Sequence, residues 1–393
     1  MKRKMVKGRK LKDRISDLPD PLLLHILSFL NIKQVIRTCI LSPRWKNLWK
    51  YIPTLTLFTT AEISTEFVSR FLSLRDNSTD LYSLRFRTSN VTEPSLVETI
   101  LNYAVSHKVQ LLNVSIDCDI QHFPNCLLSC RSLTSLHLCF NHPTVYATTI
   151  LFPSSLNMPL LTRLDLWLFA FRAGNDGRVD PFSALTNLKS LTMVYCKVAG
   201  AQNLCISSTK LVSLYINMSH YAPETYFGME LYAPNLCTFN FSGIPVQKLC
   251  WGKSNLSSIK RVSIDIIAFW KSKETSLVLL KWLNELANME SLMISSSALK
   301  VLSLVPNLLV ELPSLGNLKS LKVEKRQISR MIPDGIVDIL IQNSPSPKFV
   351  DLTFPSADLV AAMHVGIIRE LRYNNRPIRN ASTENGQELK PKI

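Results

Sequence analysis

The sequence predicts an α/β protein: a small three-helix N-terminal module, then a repeat solenoid, a horseshoe with a parallel sheet on its concave side. Two observations lead to this prediction. A short apolar phrase recurs ten times after residue 78, and a dense apolar segment near the N-terminus carries helix start and stop signals. The chain has 393 residues, 46% of them hydrophobic, which is enough for a large core.

The N-terminal segment 17–31 is too apolar for an ordinary surface helix. Seven of the nine residues in 22–30 are large and apolar, so a helix there is apolar nearly all the way round. The short helices that follow can cover one flank of it. We therefore expect a partner chain to cover the other flank.

Capping signals divide this module into three helices. Asp20 is the predicted N-cap of the first helix, with Pro21 at its first position. Asn31 ends that helix and caps a second one over Ile32–Ile40, and Ser42 starts the third. A module of about forty residues is only marginally stable by itself, which again favours a partner.

The repeated phrase is an apolar residue, two others, an apolar residue, one other and an apolar residue. Its copies start 23 to 30 residues apart, at Leu81, Val109, Leu133, Leu161, Leu188, Leu211, Leu236, Ile259, Met289 and Leu318. This interval is close to that of a leucine-rich repeat. Each copy predicts a short strand whose alternate residues point inward, and stacked copies share one core and one parallel sheet.

The outward residues of these strands form the predicted substrate-binding wall, which is mostly neutral and polar. Its aromatic side chains are good anchors for a protein partner, although either ring could simply pack against a neighbouring strand. The candidate substrate-binding residues are Arg163, Asp165, Trp167, Tyr215 and Asn217.

Charge is concentrated at the N-terminus. Residues 1–60 hold 13 Lys and Arg against three Asp, which is +10 of the formal +16. Residues 1–12 are predicted to be a disordered basic arm, which serves nuclear import, contact with an acidic partner or no specific role. The rest of the chain lacks the basic stripe with interleaved aromatics that nucleic-acid binding requires, so no nucleic-acid partner is expected. Without a secretory signal or a membrane-length apolar run, we expect a soluble protein of the nucleus and/or cytoplasm with no membrane contact.

The nine cysteines follow no framework spacing and include no C-x-x-C pair. A zinc site could be assembled only from irregularly spaced residues, namely Cys118, His122, Cys126, Cys130 and His137. Reduced, buried thiols are the better interpretation, and neither a metal nor a cofactor is predicted.

The segment Arg14 to Leu55 resembles the F-box of plant F-box/leucine-rich-repeat proteins. It contains I-S-x-L-P-D-x-L-L-L-x-I-L-S-F-L and then V-x-R-T-x-x-L-S-x-R-W-x-x-L-W, in the order and spacing of that family. It departs at Asn31–Ile36, where the family usually has P-T-K-D-A-V, and at Cys39, where Ser is usual. Residues 330–354 resemble the segment that leads into the family's C-terminal FBD domain.

The resemblance implies a domain order. We expect an F-box at 13–55, leucine-rich repeats at 56–329 and a degenerate repeat or partial FBD-like segment at 330–363. Residues 364–393 lack the usual G-F-x-G of the FBD domain. They are therefore expected to be a disordered tail that follows a truncated FBD.

The resemblance also implies a function. Such proteins are substrate-recognition subunits of SCF (Skp-cullin-F-box) ubiquitin ligases: the F-box docks on a Skp-type adaptor, through it on a cullin and a RING subunit, and the repeats hold a protein substrate. The protein itself is then no enzyme. The implied adaptor-binding residues are Leu18, Pro19, Leu22, Leu23, Ile26, Leu30, Val35 and Trp45. Since Skp adaptors are acidic, Lys33, Arg37, Arg44 and Lys46 would steer docking. The identity of the substrate is not predicted.

Three other functions are alternatives to this one. An enzyme is disfavoured because no nucleophile-elbow, zincin, P-loop or dinucleotide motif occurs, and only 11 glycines are present. An extracellular receptor would explain the N-x-S/T sequons, but it would need a signal peptide, and the sequence shows no such segment. A non-catalytic leucine-rich-repeat scaffold or nuclear binding protein without ligase activity is the remaining alternative.

Overall fold

The structure is a computed structural model. It describes residues 15–59, 65–128, 130–141, 150–154, 156–173, 179–199, 203–218, 228–245, 249–251, 258–266, 273–305, 314–324, 332–333, 335–344 and 349–353. The predicted basic arm and the predicted C-terminal tail lie outside these residues.

The N-terminal module contains the three predicted helices. They are α1 (Asp20–Ser28), α2 (Ile32–Arg37), which continues as a 3-10 turn over Thr38–Ile40, and α3 (Trp45–Leu48), which continues as a 3-10 turn over Trp49–Tyr51.

One of the predicted caps is confirmed. Asn31 and Gln34 form a capping box: the Asn31 side chain accepts from the Gln34 backbone N–H at 3.0 Å, and the Gln34 side chain accepts from the Asn31 N–H at 3.1 Å. The predicted cap at Asp20 is wrong, because Pro19 holds the N-cap position and the Asp20 carboxylate bonds to Arg44. Ser42 does not cap α3 with its side chain, since its hydroxyl faces that of Ser16.

Twelve parallel strands form the main sheet. Numbered along the chain, they are β1 (Thr54–Thr59), β2 (Ser83–Thr92), β3 (Leu111–Cys118), β4 (Ser135–Asn141), β6 (Arg163–Trp167), β8 (Ser190–Val194), β11 (Ser213–Asn217), β13 (Thr238–Gly243), β15 (Arg261–Ile266), β16 (Ser291–Ser295), β17 (Ser320–Glu324) and β18 (Phe349–Thr353). Each pairs with the next in this order. This is the fold of a leucine-rich-repeat solenoid, as predicted.

All ten predicted strands are present, and each begins two residues after the start of its phrase. The apolar residues of the phrases are buried in one continuous core. β1 was not among the ten predicted strands, but it has the same apolar phrase. Its apolar residues Ile52, Leu55 and Leu57 are all buried. The phrase was missed there because it starts inside the helical module.

The segments between the main strands differ in structure. Those near the two ends of the sheet carry α4 (Thr65–Ser73), α5 (Pro94–Ser106), α6 (Asn125–Leu128), α7 (Lys273–Glu285), α8 (Ser296–Leu302) and α9 (Ile336–Gln342). The middle ones carry two small parallel sheets, β5 (Ile150–Leu151), β7 (Phe169–Arg172) and β9 (Lys197–Ala199), and β10 (Asn203–Ser207), β12 (Gly228–Tyr232) and β14 (Leu249–Trp251). A helix advances only about 1.5 Å per residue. The longer helices are accordingly found in the longer repeats.

Candidate interaction surfaces

Helix α1 carries two apolar stripes, which explains its composition. Leu23 and Leu27 point inward and are fully buried against the rest of the module and β1. Leu22, Ile26 and Phe29, spaced as neighbours along one helical face, are 50%, 40% and 75% exposed. The module and the sheet therefore cover one stripe, and among the described residues nothing covers the other.

Further apolar exposure follows α2. Ile40 is 87% exposed and Leu41 is 60% exposed, at the end of the 3-10 turn. We refer to Leu22, Ile26, Phe29, Ile40 and Leu41 as the apolar surface residues. Five large apolar side chains exposed in so short a segment are typical of a surface that binds another protein.

Hydrogen bonds connect the first part of the module to the start of α3. The Trp45 Nε1 donates to the Ser16 hydroxyl at 3.0 Å, and the Ser16 and Ser42 hydroxyls lie 3.1 Å apart. Arg44 donates to the Asp20 carboxylate at 2.6 and 3.1 Å and to the Ser16 carbonyl oxygen. The I-S-x-L-P-D and S-x-R-W motifs thus bond to each other, which explains why their spacing matters.

The solvent-facing side of the main sheet is the second surface, here called the sheet face. Of the predicted substrate-binding residues, Arg163 is exposed, and Trp167 and Tyr215 are partly exposed. Asp165 and Asn217 are buried, at 8% and 7% exposure. They sit at sheet-face positions, but neighbouring side chains cover them, so they support the surface rather than form it.

Asp165 organises the centre of this surface. Its carboxylate accepts from Arg163 Nε at 3.0 Å and lies 3.8 Å from His137 Nδ1. Burial raises the pKa of Asp165. The hydrogen bonds of His137 and Thr192 and the charge of Arg163 together lower it by more, so the pKa lies below its ordinary value. The carboxylate is therefore ionised at neutral pH and holds Arg163 in place.

Trp167 packs against its neighbours while keeping part of its ring exposed. Its ring centroid lies 6.2 Å from that of His137 and 6.4 Å from that of Tyr195, the latter in an edge-to-face arrangement. The packing interpretation therefore applies to this ring, and its role as an anchor for a protein partner stays a prediction.

Sequence reasoning missed three residues at the β1 end of the sheet face. Phe58, Arg85 and Arg87 are all exposed there, and Phe58 is paired in register with Arg87. The phrase at Leu81 already contained the signal, because it makes Arg85 and Arg87 the outward residues of their strand.

Comparisons with known proteins agree with this geometry. The F-box domain family matches residues 15–56, which are the helical module and the start of β1. In Arabidopsis thaliana, F-box/LRR-repeat protein At3g03360 is 27% identical over 86% of this chain and 69% of its own length. Residues 15–56 thus match an F-box, and the chain is similar to plant F-box/LRR-repeat proteins.

Other F-box/LRR-repeat proteins match shorter parts of this chain. F-box/LRR-repeat protein 13 of Arabidopsis thaliana is 33% identical over 48% of this chain and 42% of its own length. F-box/FBD/LRR-repeat protein At1g78750, from the same plant, is 29% identical over 54% of this chain and 48% of its own length. The chain thus spans less than half of each of these two relatives.

Within the F-box, the residues that the resemblance implied for adaptor binding divide by exposure. Those on the surface are Pro19, Leu22 and Ile26, those partly buried are Leu18 and Leu30, and those in the core of the module are Leu23, Val35 and Trp45. A direct contact of the core group with a partner would require the module to open. Phe29, Ile40 and Leu41 are more exposed than Leu22 and Ile26 but were not named from the sequence.

Two further features of the described residues bear on function. No helix among the described residues is both long and apolar enough to cross a bilayer. In the same part of the chain, no group of three or more His, Cys, Asp or Glu side chains could hold a metal ion.

Proposed function

We propose that this chain is the substrate-recognition subunit of an SCF-type ubiquitin ligase. Residues 13–55 would dock on a Skp-type adaptor, and through it on a cullin and a RING subunit, while residues 56–329 would hold a protein substrate. The observation that carries the proposal is the exposed stripe Leu22, Ile26 and Phe29 on a helix whose other stripe is buried, inside a domain that matches the F-box.

The apolar surface residues and Pro19 supply the proposed adaptor contact. Burying a Leu or Ile side chain completely stabilises by about 1.5–3 kcal/mol, and the apolar surface residues are 40% to 87% exposed. Several of them together support a stable complex even after the cost of association. Leu23, Val35 and Trp45 contribute indirectly in this proposal, because they are buried in the core of the module and keep α1 oriented.

Charge supports the same assignment. Arg37 and Lys46 are exposed and Lys33 is partly exposed, so they add positive charge to the module that would dock on an acidic adaptor. Arg44 is different, because its guanidinium is engaged by Asp20 and Ser16. We assign to it a role within the module.

In this proposal the chain performs no bond chemistry. The amine of a substrate lysine attacks the thioester between ubiquitin and the conjugating enzyme, an isopeptide bond forms, and the enzyme's cysteine leaves as a thiol. The sheet face contributes by raising the local concentration of the lysine. We place this activity in the nucleus and/or cytoplasm.

The test is capture of the purified full chain by an immobilised Skp-type adaptor. We expect wild type to be retained and the double variant Leu22→Asp, Ile26→Asp to lose at least about tenfold in affinity, because each change removes apolar contact and buries a charge. Both residues are substantially exposed, so the variant should keep the thermal stability of wild type.

The matched control is Leu160→Asp, Leu277→Asp. It makes the same chemical change at two residues of similar exposure in the repeats, and should leave capture unchanged. Equal retention of wild type and the α1 variant would contradict the assigned face. Failure of wild type to bind would contradict the ligase function and favour a leucine-rich-repeat scaffold.

A further inference from the structure

The β1 end of the sheet face carries two exposed basic side chains. Arg85 and Arg87 are alternate outward residues of β2, both exposed, and no hydrogen bond or ion pair engages either guanidinium among the residues that the structure describes. Phe58 of β1 lies beside Arg87 in the register and is 39% exposed. An exposed apolar ring therefore adjoins two exposed positive charges.

The neighbouring part of the sheet face has small side chains, and its described carboxylates already accept hydrogen bonds. From Arg87 the register runs across Ser115 and Cys139 to Trp167. With strands about 4.8 Å apart, Phe58 and Trp167 lie roughly 19 Å from each other across five strands, with short side chains between Arg87 and Trp167. The nearby carboxylates are engaged: Asp165 by Arg163, and Asp117 by the Asn141 amide at 2.8 Å.

We propose that this end of the sheet face, Phe58, Arg85 and Arg87, binds an acidic, extended segment of the substrate protein. The inference rests on the proposed function and specifies the chemistry of its substrate. Two carboxylates of the segment would pair with the two guanidiniums, and an apolar or aromatic residue would pack on Phe58. Arg suits this role because its planar fork bonds a carboxylate with two hydrogen bonds.

Strand geometry makes the match specific. Alternate residues of β2 repeat at about 6.6 Å, and so do alternate residues of an extended peptide. A segment lying along β2 with acidic residues two apart would place one carboxylate opposite each guanidinium. A nucleic acid fits less well, since retention of a phosphate backbone usually draws on about six to ten cationic contacts.

The test uses the full chain and a fluorescein-labelled random copolymer of glutamate and tyrosine, followed by fluorescence anisotropy at physiological salt. We expect Arg85→Glu, Arg87→Glu to weaken binding by about tenfold or more, because two attractive charges become repulsive. The matched control, Arg261→Glu, Lys322→Glu, makes the same charge change toward the other end of the same face and should weaken binding by no more than about threefold.

Phe58→Ser tests the apolar anchor. It should weaken binding of the glutamate–tyrosine copolymer by about threefold or more and leave binding of polyglutamate unchanged, since polyglutamate has no ring to lose. Equal losses in the two double charge variants would overturn the proposal, because attraction would then depend on net charge alone. Displacement of the copolymer by single-stranded oligothymidylate that depends on Arg85 and Arg87 would also overturn it, in favour of nucleic acid.

The adaptor capture described above separates this proposal from the proposed function. The variant Arg85→Glu, Arg87→Glu should bind the adaptor like wild type, and Leu22→Asp, Ile26→Asp should bind the copolymer like wild type. Loss of copolymer specificity with intact adaptor capture would refute only the acidic-segment inference. Loss of adaptor capture by wild type would refute the ligase function.

Discussion

The Nη2 of Arg75 donates a 2.6 Å hydrogen bond to the carbonyl oxygen of Ile52, the last residue of the helical module before β1. The same guanidinium donates to the Trp49 carbonyl oxygen at 3.1 Å and, through Nε, to the Tyr103 hydroxyl at 2.8 Å. Arg75 is 4% exposed and follows α4, so one buried side chain joins the F-box to two helices of the repeats. The Trp49 and Phe71 rings stack 5.1 Å apart at the same junction.

We expect Arg75→Met to lower the free energy of unfolding by about 2–4 kcal/mol. Met keeps most of the apolar stem but leaves two buried carbonyl oxygens and one hydroxyl without their donor. Urea denaturation followed by circular dichroism measures the change. The exposed Arg70 on α4 is the control, and Arg70→Met should stay within about 0.5 kcal/mol of wild type. Equal effects at the two positions would show that the junction does not depend on these bonds.

The bond between Trp45 and Ser16 should be detectable as an interaction energy. We expect Trp45→Phe and Ser16→Ala each to destabilise by about 1–2 kcal/mol, with a coupling of about 0.5–1.5 kcal/mol in a double-mutant cycle. Trp49→Phe provides the control, because Trp49 Nε1 bonds to the Lys46 carbonyl oxygen instead. Its effect should add to that of Ser16→Ala without coupling. A coupling energy of zero between Trp45 and Ser16 would show that this hydrogen bond does not explain the spacing of the two motifs.

Two glycines should respond oppositely to alanine. Gly243, at the end of β13, has φ +140°, and an added Cβ would lie 3.1 Å from the Met218 carbonyl carbon. Gly243→Ala should therefore destabilise by about 1–3 kcal/mol. At Gly316 the nearest atom to an added Cβ is the Ser314 Oγ, 3.8 Å away, so Gly316→Ala should be neutral or stabilise by up to about 1 kcal/mol. Thermal unfolding of the two variants measures these changes. A Gly243→Ala variant as stable as wild type would contradict the backbone conformation at Gly243.

Acid should remove one surface contribution to stability. Hydrogen bonds from Lys319 and Lys260, at 2.7 and 2.9 Å, hold the pKa of Glu290 at about 2, below its ordinary value of 4.5. A carboxyl whose pKa is lower in the folded state stabilises it above the unfolded pKa, and this contribution is lost as pH falls from 4.5 towards 2. We expect Glu290→Gln to be less stable than wild type at neutral pH, with a deficit that shrinks over that range.

Urea denaturation of Glu290→Gln at several pH values measures this effect. The control is Glu98→Gln, which removes an exposed carboxylate that forms no ion pair within the described residues. High salt should reduce the Glu290 deficit at neutral pH, since the pairs are solvent-accessible. A deficit independent of both pH and salt would point to packing instead of charge.

The period of the apolar phrases determined the main strands, because inward residues must alternate along a strand and repeat at a fixed interval to share one core. Capping at Asn31 was equally local, since its partner Gln34 is three residues away. The Asp20 cap failed because its carboxylate bonds to Arg44, 24 residues along the chain. A local pattern cannot represent that competition.

The amino-acid sequence by itself determined that α1 had more apolar surface than one neighbour could cover, and which phrases become strands. Only the tertiary structure decided which stripe of α1 stays exposed, because Leu22 and Leu23 are chemically alike and differ only in which of them faces β1 and the other helices. It likewise buried Asp165, which accepts a hydrogen bond from Arg163, and left Arg85 and Arg87 exposed. Exposure and ion pairing depend on residues distant in the chain, and these come together only when the strands are stacked.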